Sequence, residues 1–480
     1  MFKNNLKIAL RNLLRQKVYS FINVMGLAVG VASCLLIVLF IRHEFSYDKF
    51  FQDQERIYRM VLERKYPNHS TFYAIIPTSY EDVANRDLPE VEASTQAFRF
   101  TNVALSFTNE QEELIRFDEE MVLVVDSSFL DVFDFPFVSG NRERALRAAN
   151  EIVITQELAK RYFGEADPIN KIIRGPGPQG AFKVVGVMAD VPENTHFKFS
   201  ALMSASTFPF TRAENFVSFS NYTYFKLREG TDPRTFEEKF ATLVDKYAAA
   251  QIERELGKSW EDYKREGNGY RYYLQPLASI HLDPVYLEAQ MKPGGNINSV
   301  YVMIAVAALI LIIACINFMN LATARSAERS REVGVRKVMG SLRPQLMAQF
   351  LTEAFVLSAI GVVLAIVFMR SSLPFFNNLI GKQLTFSFEP TTIGTLLVFT
   401  AIVGLLAGLY PAFVLSSFNP VTVMKGKFTG SQKGKWIRNW LVVFQFWISI
   451  VLIIGTWVIG DQMKFMREKS LGFDKEQLLV

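Results

Sequence analysis

The sequence predicts an α-helical membrane protein with about five transmembrane helices and a large extracytoplasmic α+β domain between helices 1 and 2. Three observations predict it: five long apolar runs, an uneven distribution of charge between them, and a mixed strand-and-helix pattern in the one long interval. Half of the 480 residues are apolar and mean hydropathy is +0.15, although 21% are charged. That combination excludes a soluble enzyme, a secreted disulfide scaffold and a disordered chain.

The apolar runs lie at residues 19–41, 300–323, 350–370, 393–416 and 440–459. Each has about 20 residues with almost no charge, enough to cross a hydrocarbon core of roughly 30 Å. The first run continues past the small residues Gly30, Ala32 and Ser33, so it reads as an uncleaved anchor and not a cleaved signal. Cys34 and Cys315 both fall inside spans, so the outer domain folds without disulfides.

Charge sets the orientation. Residues 42–299 hold 30 Lys and Arg against 39 Asp and Glu, whereas the rest of the chain holds 22 against 8. Lys3, Lys7, Arg11, Arg15 and Lys17 precede span one, and Arg325, Arg329, Arg331, Arg336, Lys337 and Arg343 separate spans two and three. Lys425, Lys427, Lys433, Lys435 and Arg438 separate spans four and five. Positive-inside bias puts these three segments in the cytoplasm, residues 42–299 outside, and the N-terminus inside. In residues 1–18 the basic positions recur every four residues opposite Phe2, Leu6, Ala9 and Leu13. That spacing fits a cytoplasmic amphipathic helix on the inner membrane surface, or a plain positive flank.

The outer interval alternates two patterns. Runs rich in β-formers at residues 57–63, 121–125, 152–155, 182–188 and 222–227 predict strands. Residues 79–87, 156–163 and 233–247 predict helices, and residues 175–180, rich in Gly and Pro, predict a turn.

No catalytic constellation appears. There is no P-loop, no H-E-x-x-H and no G-x-S-x-G, and His43, His69, His196 and His281 are scattered singly, as surface or packing residues are. The acidic run Asp118-Glu119-Glu120 reads as a solvated loop. Nothing points to a metal, a cofactor or nucleic acid. Gly26/Gly30 and Gly404/Gly408 supply small-xxx-small faces for close helix packing, or reflect the ordinary glycine content of membrane helices. Asn317 and Asn320 are expected to hydrogen-bond between helices.

The informative stretch is cytoplasmic, residues 324–349. It is too polar for lipid, and Arg325, Arg329, Glu332 and Arg336 fall on one helical face. Gly334 and Gly340 admit close backbone approach or a break between two short helices. Such a segment docks onto a cytosolic partner or merely sets topology.

Glu332-Val333-Gly334-Val335-Arg336-Lys337-Val338-Met339-Gly340 resembles the E-(I/V)-G-(I/V)-R-(K/R)-x-x-G signature of the FtsX/MacB-like ABC transporter permeases. Residues 314–321 and 407–412 also look like that family. Residues 125–133, 157–164 and 186–192 resemble its MacB-like periplasmic core domain, in order and at matching spacing. The resemblance implies a multi-pass permease of the bacterial inner (cytoplasmic) membrane, not itself an enzyme, energised by a cytosolic ABC ATPase subunit supplied in trans. It implies that Arg331, Glu332, Gly334, Val335, Arg336, Lys337 and Gly340 belong to the coupling element that seats on that ATPase. ATP-driven motion would reach the outer domain through the spans, for export or extraction of peptide, lipid or lipoprotein cargo. The alternative is a mechanotransmitting regulator of an outside partner such as a cell-wall hydrolase. Either works in the lipid bilayer with a second permease half or as a homodimer.

Arg438-Asn439 before span five echoes Arg11-Asn12 before span one. The expected organisation is therefore a core domain at 42–299, a coupling loop at 324–349 and a basic linker at 417–439. Residues 440–459 would open a second repeat and 460–480 a second outer region, cut short.

Overall fold

The structure, a computed structural model, describes residues 2–109, 111–175, 180–324, 326–416 and 432–469. Three sequence expectations lie outside the described residues: the turn at 176–179, most of the basic linker (417–431), and residues 470–480. The chain divides into two compact units, His43–Val300 and a second made of Met1–Arg42 with Tyr301–Val480.

In the second unit, five helices are long and apolar enough to cross a membrane. Helix α1 (Phe2–Arg15) precedes the first of them, α2 (Lys17–Glu44). Helices of the outer unit, given below, are α3 to α7. The remaining membrane-unit helices are α8 (Ile297–Ala324), α9 (Ser326–Val338), α10 (Arg343–Ile380), α11 (Pro390–Ser416) and α12 (Gln432–Glu468). At 1.5 Å per residue, the 28 residues of α2 or α8 extend about 42 Å, more than a hydrocarbon core requires.

Small residues set how closely these helices approach. A Cβ on Gly30 would stand 2.8 Å from the Ala314 Cβ, and one on Gly26 would stand 3.1 Å from Asn317 Nδ2. One turn further, Cys34 Sγ donates to the Ala307 carbonyl at 3.2 Å. These contacts run antiparallel along α2 and α8. Gly404 and Gly408 do the same for α11 on α10, where added Cβ atoms would stand 3.2 Å from Phe355 Cα and 2.6 Å from Ala354 Cβ. Both small-residue faces are therefore packing faces.

Asn320 departs in part from expectation. Asn320 Oδ1 is buried without a hydrogen-bond partner among the described residues, as are both polar side-chain atoms of Asn23 and the Ser358 hydroxyl. Span three also holds a carboxylate, Glu353, that is only 7% exposed. Helix α12 buries Ile448 but leaves Trp440, Val443, Phe446, Trp447 and Ile450 exposed.

The outer unit is built on one sheet, eleven-stranded among the described residues. Its strands are β1 (Ile57–Tyr66), β2 (His69–Tyr73), β3 (Val91–Thr108), β4 (Leu114–Val125), β5 (Phe137–Gly140), β6 (Glu151–Thr155), β7 (Ile172–Arg174), β8 (Ala181–Met188), β9 (Ala201–Ser204), β10 (Tyr222–Leu227) and β11 (Gly269–Pro276). The order is β11-β1-β10-β3-β4-β9-β6-β8-β5, with β2 paired to β1 and β7 to both β3 and β8. Most pairs are antiparallel; β4 with β9 and β6 with β8 are parallel.

Helices α3 (Ser79–Asp87), α4 (Phe129–Val132), α5 (Gln156–Phe163), α6 (Pro233–Leu256) and α7 (Trp260–Arg265) complete the unit. Their ends follow from local chemistry. The Thr155 hydroxyl accepts from Leu158 N to cap α5. Asp232 caps α6, Pro233 begins it, and Gly257, at φ +64°, ends it. Three apolar cores form: α3 and α6 cover β1, β10 and β11; α5 covers β4, β6 and β8; and a third gathers Phe51, Phe129, Phe133, Phe135, Phe197 and Phe199. In that third core Phe133 and Phe197 meet edge to face at 4.7 Å, a geometry worth about 0.5–1.5 kcal/mol beyond burial.

One expectation is corrected here. Asp118-Glu119-Glu120 is not a loop but part of β4; Glu119 is 2% exposed and paired to Arg161 at 2.9 Å. His196 and His281 are buried, each against a carboxylate, Asp48 at 3.0 Å and Glu44 at 2.9 Å.

Candidate functional site

The polar stretch between spans two and three folds as a helix, a sharp turn and the start of a long second helix. In α9, Ala327, Arg331, Lys337 and their neighbours favour a helix, and Gly340 ends it at φ +93°. Gly340 N bonds back to the Lys337 carbonyl at 3.1 Å and Ser341 N to the Arg336 carbonyl at 3.0 Å. That pair of bonds satisfies the last carbonyls of the helix, and its left-handed residue favours glycine. Leu342 and Pro344 then open α10.

One side of α9 is fixed. Val333, 2% exposed, packs with Leu346 and Phe350 of α10 and with Ala412 and Leu415 of α11. Gly334 is buried beside it. Arg336 Nη2 stands 2.6 Å from Glu332 Oε1, one turn back, and its Nη1 donates to Gln349 Oε1 on α10. The arginine thus fastens α9 to α10 with charge-assisted bonds. Arg343 extends the cross-link, its guanidinium 4.8 Å over the Phe413 ring and its Nε 3.4 Å from Ser416 Oγ. Partial burial, with the Arg343 charge nearby, holds the Lys337 ammonium below its ordinary range.

The other side is exposed and apolar. Val335 is 52% exposed, Val338 65%, Met339 82% and Leu342 64%. Four large, mostly exposed apolar side chains within eight residues, on a segment rich in charge, make an apolar patch.

The residues singled out from the sequence therefore divide. Glu332, Val335 and Gly340 are exposed, Arg336 and Lys337 half-buried and Gly334 buried. Arg331 lies on α9, but its side chain is outside the described residues, as is Arg325. Sequence reasoning missed Val338, Met339 and Leu342 as surface, and Gln349 as the partner of Arg336. An apolar i, i+3, i+4, i+7 series within a basic segment was the available signal. Among the described residues no group of three or more metal-ligating side chains is present.

Comparison with known proteins adds an independent line. Residues 20–243 match the family described as MacB-like periplasmic core domain, and residues 304–420 match the one described as FtsX-like permease C-terminal. The chain belongs to the FtsX/MacB-like permeases. Among relatives, the uncharacterized ABC transporter permease YknZ of Bacillus subtilis is 21% identical over 433 residues, 88% of this chain and 98% of that protein. The uncharacterized ABC transporter permease YvrN of the same organism is 23% identical over 440 residues, 88% of this chain and 99% of that one. The macrolide export ATP-binding/permease protein MacB of Bdellovibrio bacteriovorus is 31% identical over 293 residues, 59% of this chain but 39% of that protein.

In this FtsX/MacB-like permease, the α9–α10 turn with its apolar patch falls wholly inside the FtsX-like match. The core-domain match ends within α6, so β11 and the segment that follows it lie beyond the match.

Proposed function

We propose that this chain is the membrane subunit of an ABC transporter that converts ATP hydrolysis by a separate cytosolic ATPase into movement of its outer domain. The observation that carries the reading is the exposed patch of Val335 and Val338 on α9 with Met339 and Leu342 in the turn after it, while Val333 and Arg336 fasten another face of that helix. A rigid backing with an exposed apolar face suits transmission of force, because a push on α9 passes into α10 and α11 through packed side chains instead of bending a loop. Charge bias supports a cytoplasmic position for α9. The work is done in the bacterial inner membrane with a second permease half or a second copy of this chain. The cargo class is peptide, lipid or lipoprotein; relatives named for macrolide and pyoverdine export support an export role.

The test is affinity purification from native membranes of the wild-type chain and of a Val335→Glu/Met339→Glu variant. The wild type should bring down a P-loop subunit and ATP hydrolysis activity. The variant should reach the membrane in equal amount and lose that subunit by about tenfold or more, as expected when central contacts of an interface are removed. Wild-type protein that is folded and inserted yet recovers no ATPase overturns the reading. ATPase recovered with hydrolysis that no lipid or peptide stimulates favours the regulator of an outside partner.

A further inference from the structure

The first segment of the outer unit is tied by two buried carboxylate–histidine pairs, one to the last segment and one to the loop between β8 and β9. Glu44 and Asp48 stand four residues apart where α2 ends, and are 4% and 0% exposed. Each reaches a histidine far along the chain. Glu44 Oε2 lies 2.9 Å from Nε2 of His281, in the segment that leads from β11 to α8. Asp48 Oδ2 lies 3.0 Å from Nδ1 of His196, between β8 and β9.

Both pairs are built into their surroundings. The His281 ring stacks on Tyr47 with centroids 3.4 Å apart and planes 2° from parallel. Its carbonyl accepts from Gly295 N at 2.7 Å. A Cβ on Gly295 would stand 2.8 Å from Glu44 Oε2 and 2.9 Å from His281 Nε2, so only glycine lets the backbone pass so close to the pair. On the other side, Asp48 accepts from the Thr195 hydroxyl and from His196 N at 3.2 Å. His196 Nε2 then meets the Tyr224 hydroxyl of β10 at 2.8 Å. The Lys292 ammonium donates to the Glu193 carbonyl at 2.6 Å, so the late segment also grips the loop that carries His196.

A buried arginine extends the tie into the sheet. Arg59 of β1 is 0% exposed, and Nη2 donates to Gln275 at 2.7 Å and to Gln290 at 3.2 Å. Gln275 Nε2 donates onward to Asp283 at 2.6 Å, and the Tyr222 hydroxyl bonds the Ala289 carbonyl at 2.7 Å. The segment from 281 to 295 has no helix or extended strand of its own; a single backbone bridge from Glu288 to β2, the packing of Leu287 and Met291 in the core, and these side chains position it.

We propose that Glu44–His281 and Asp48–His196 form a two-point clamp that closes the outer unit on itself, so that displacement applied at either end is delivered to the sheet and not absorbed in slack chain. The four residues are positioning residues: Glu44 and His281 hold the segment 281–295, and with it the approach to α8, at a set distance from the end of α2, while Asp48 and His196 hold the loop at 193–197 that Lys292 of the same segment grips. A buried charge deprived of its partner costs far more than an exposed one, which makes the two pairs stiff points in an otherwise irregular stretch. The clamp itself does not depend on the proposed function; only its use in transmission does.

The experiment is hydrogen exchange of the full chain in lipid nanodiscs, comparing wild type with Glu44→Ala, His281→Ala, the double variant and Gly295→Ala. Exchange within residues 281–295 should rise about tenfold in either single variant, a coupling within the range for contacting residues. The double variant should add little, because the two substitutions break one pair, and β4 and β9 should keep their wild-type protection. Gly295→Ala keeps every charge and should loosen the same segment by pushing the pair apart. Single variants that leave 281–295 protected, or a double variant whose effect is the sum of the two, overturn the clamp. Should a variant lose protection throughout the sheet, the Asp48→Asn variant repeats the test at the second pair, read at residues 193–197. ATPase recovery is read separately from Val335 and Met339, so failure of one proposal is distinguishable from failure of the other.

Discussion

Gly30 of α2 faces Ala314 of α8 so closely that a Cβ on the glycine would stand 2.8 Å from the alanine's own. Without a hydrophobic driving force between lipid-facing helices, such proximity is what lets dispersion contacts and Cα–H···O bonds hold two spans together. Gly30→Leu should therefore separate α2 from α8 at this level and destabilise the membrane unit by about 1–3 kcal/mol. Gly408→Leu should act likewise between α11 and α10, where the corresponding gap is 2.6 Å. Gly455→Leu, with open space around its position on α12, should change nothing. Thermal unfolding in detergent checks all three, and an equal loss at Gly455 would show that glycine content, not packing, is responsible.

The glycine faces were legible in the sequence because small-xxx-small spacing is a local signal. The same holds for the spans, and for β10, which occupies Tyr222–Leu227 as its alternating aromatics predict. Strand β3 was not legible. Near its start, Ser94-Thr95-Gln96 is polar yet buried, made tolerable by Asp126, which accepts from Thr95 Oγ1 and Gln96 N, and by the Thr78 carbonyl, which accepts from Gln96. Those partners lie up to 31 residues away, beyond any local window. The candidate site was half legible. Its charges and glycines marked the segment, but which face of α9 points outward depends on Val333 meeting Leu415, and no pattern within α9 reports a neighbour so distant in the chain.

Glu81 offers a test of the outer unit's polar core. It is 9% exposed, bonded by the Ser94 hydroxyl, and burial together with the Asp126 charge raises its carboxyl to about 8. Asp126, also buried, is raised as well. A folded-state value above the unfolded one gives a contribution that is full below the ordinary Glu range and is lost as pH rises through about 8. Glu81→Gln removes the ionisation while keeping an acceptor for Ser94. The variant should match wild type near pH 5 and become more stable by pH 8.5, by a few kcal/mol at most on the order expected for a buried carboxylate. Thermal midpoints across that range check the sign; a gap that widens toward acid would refute the assignment.

Gly340 isolates backbone conformation from packing at the candidate site. Its φ is +93° and nothing lies within 4 Å of where a Cβ would stand. Gly340→Ala therefore introduces no clash, only the cost of holding an L-residue in the left-handed region, about 1 kcal/mol. The amides of Gly340 and Ser341, bonded to the Lys337 and Arg336 carbonyls, should exchange several-fold faster, and ATPase recovery should fall less than in the Val335→Glu/Met339→Glu variant. Unchanged exchange at 340 and 341 would mean that the helix end is held by something other than this turn.

Orientation in the membrane rests on charge, and side-specific labelling decides it. Cys34 and Cys315 are buried in helices and leave the background silent. Asn141 is exposed in the outer unit, and Met339 is 82% exposed on the patch after α9. In intact cells whose outer membrane admits the reagent, a membrane-impermeant maleimide should label Asn141→Cys at once and should reach Met339→Cys only after the inner membrane is permeabilised. The positive-inside reading requires that order, since the segments holding Lys7, Arg11 and Arg336 resist transfer across the bilayer while the net-acidic outer unit does not. The reverse order would put α9 outside, where no cytosolic ATPase reaches it, and the proposed function would fall with it.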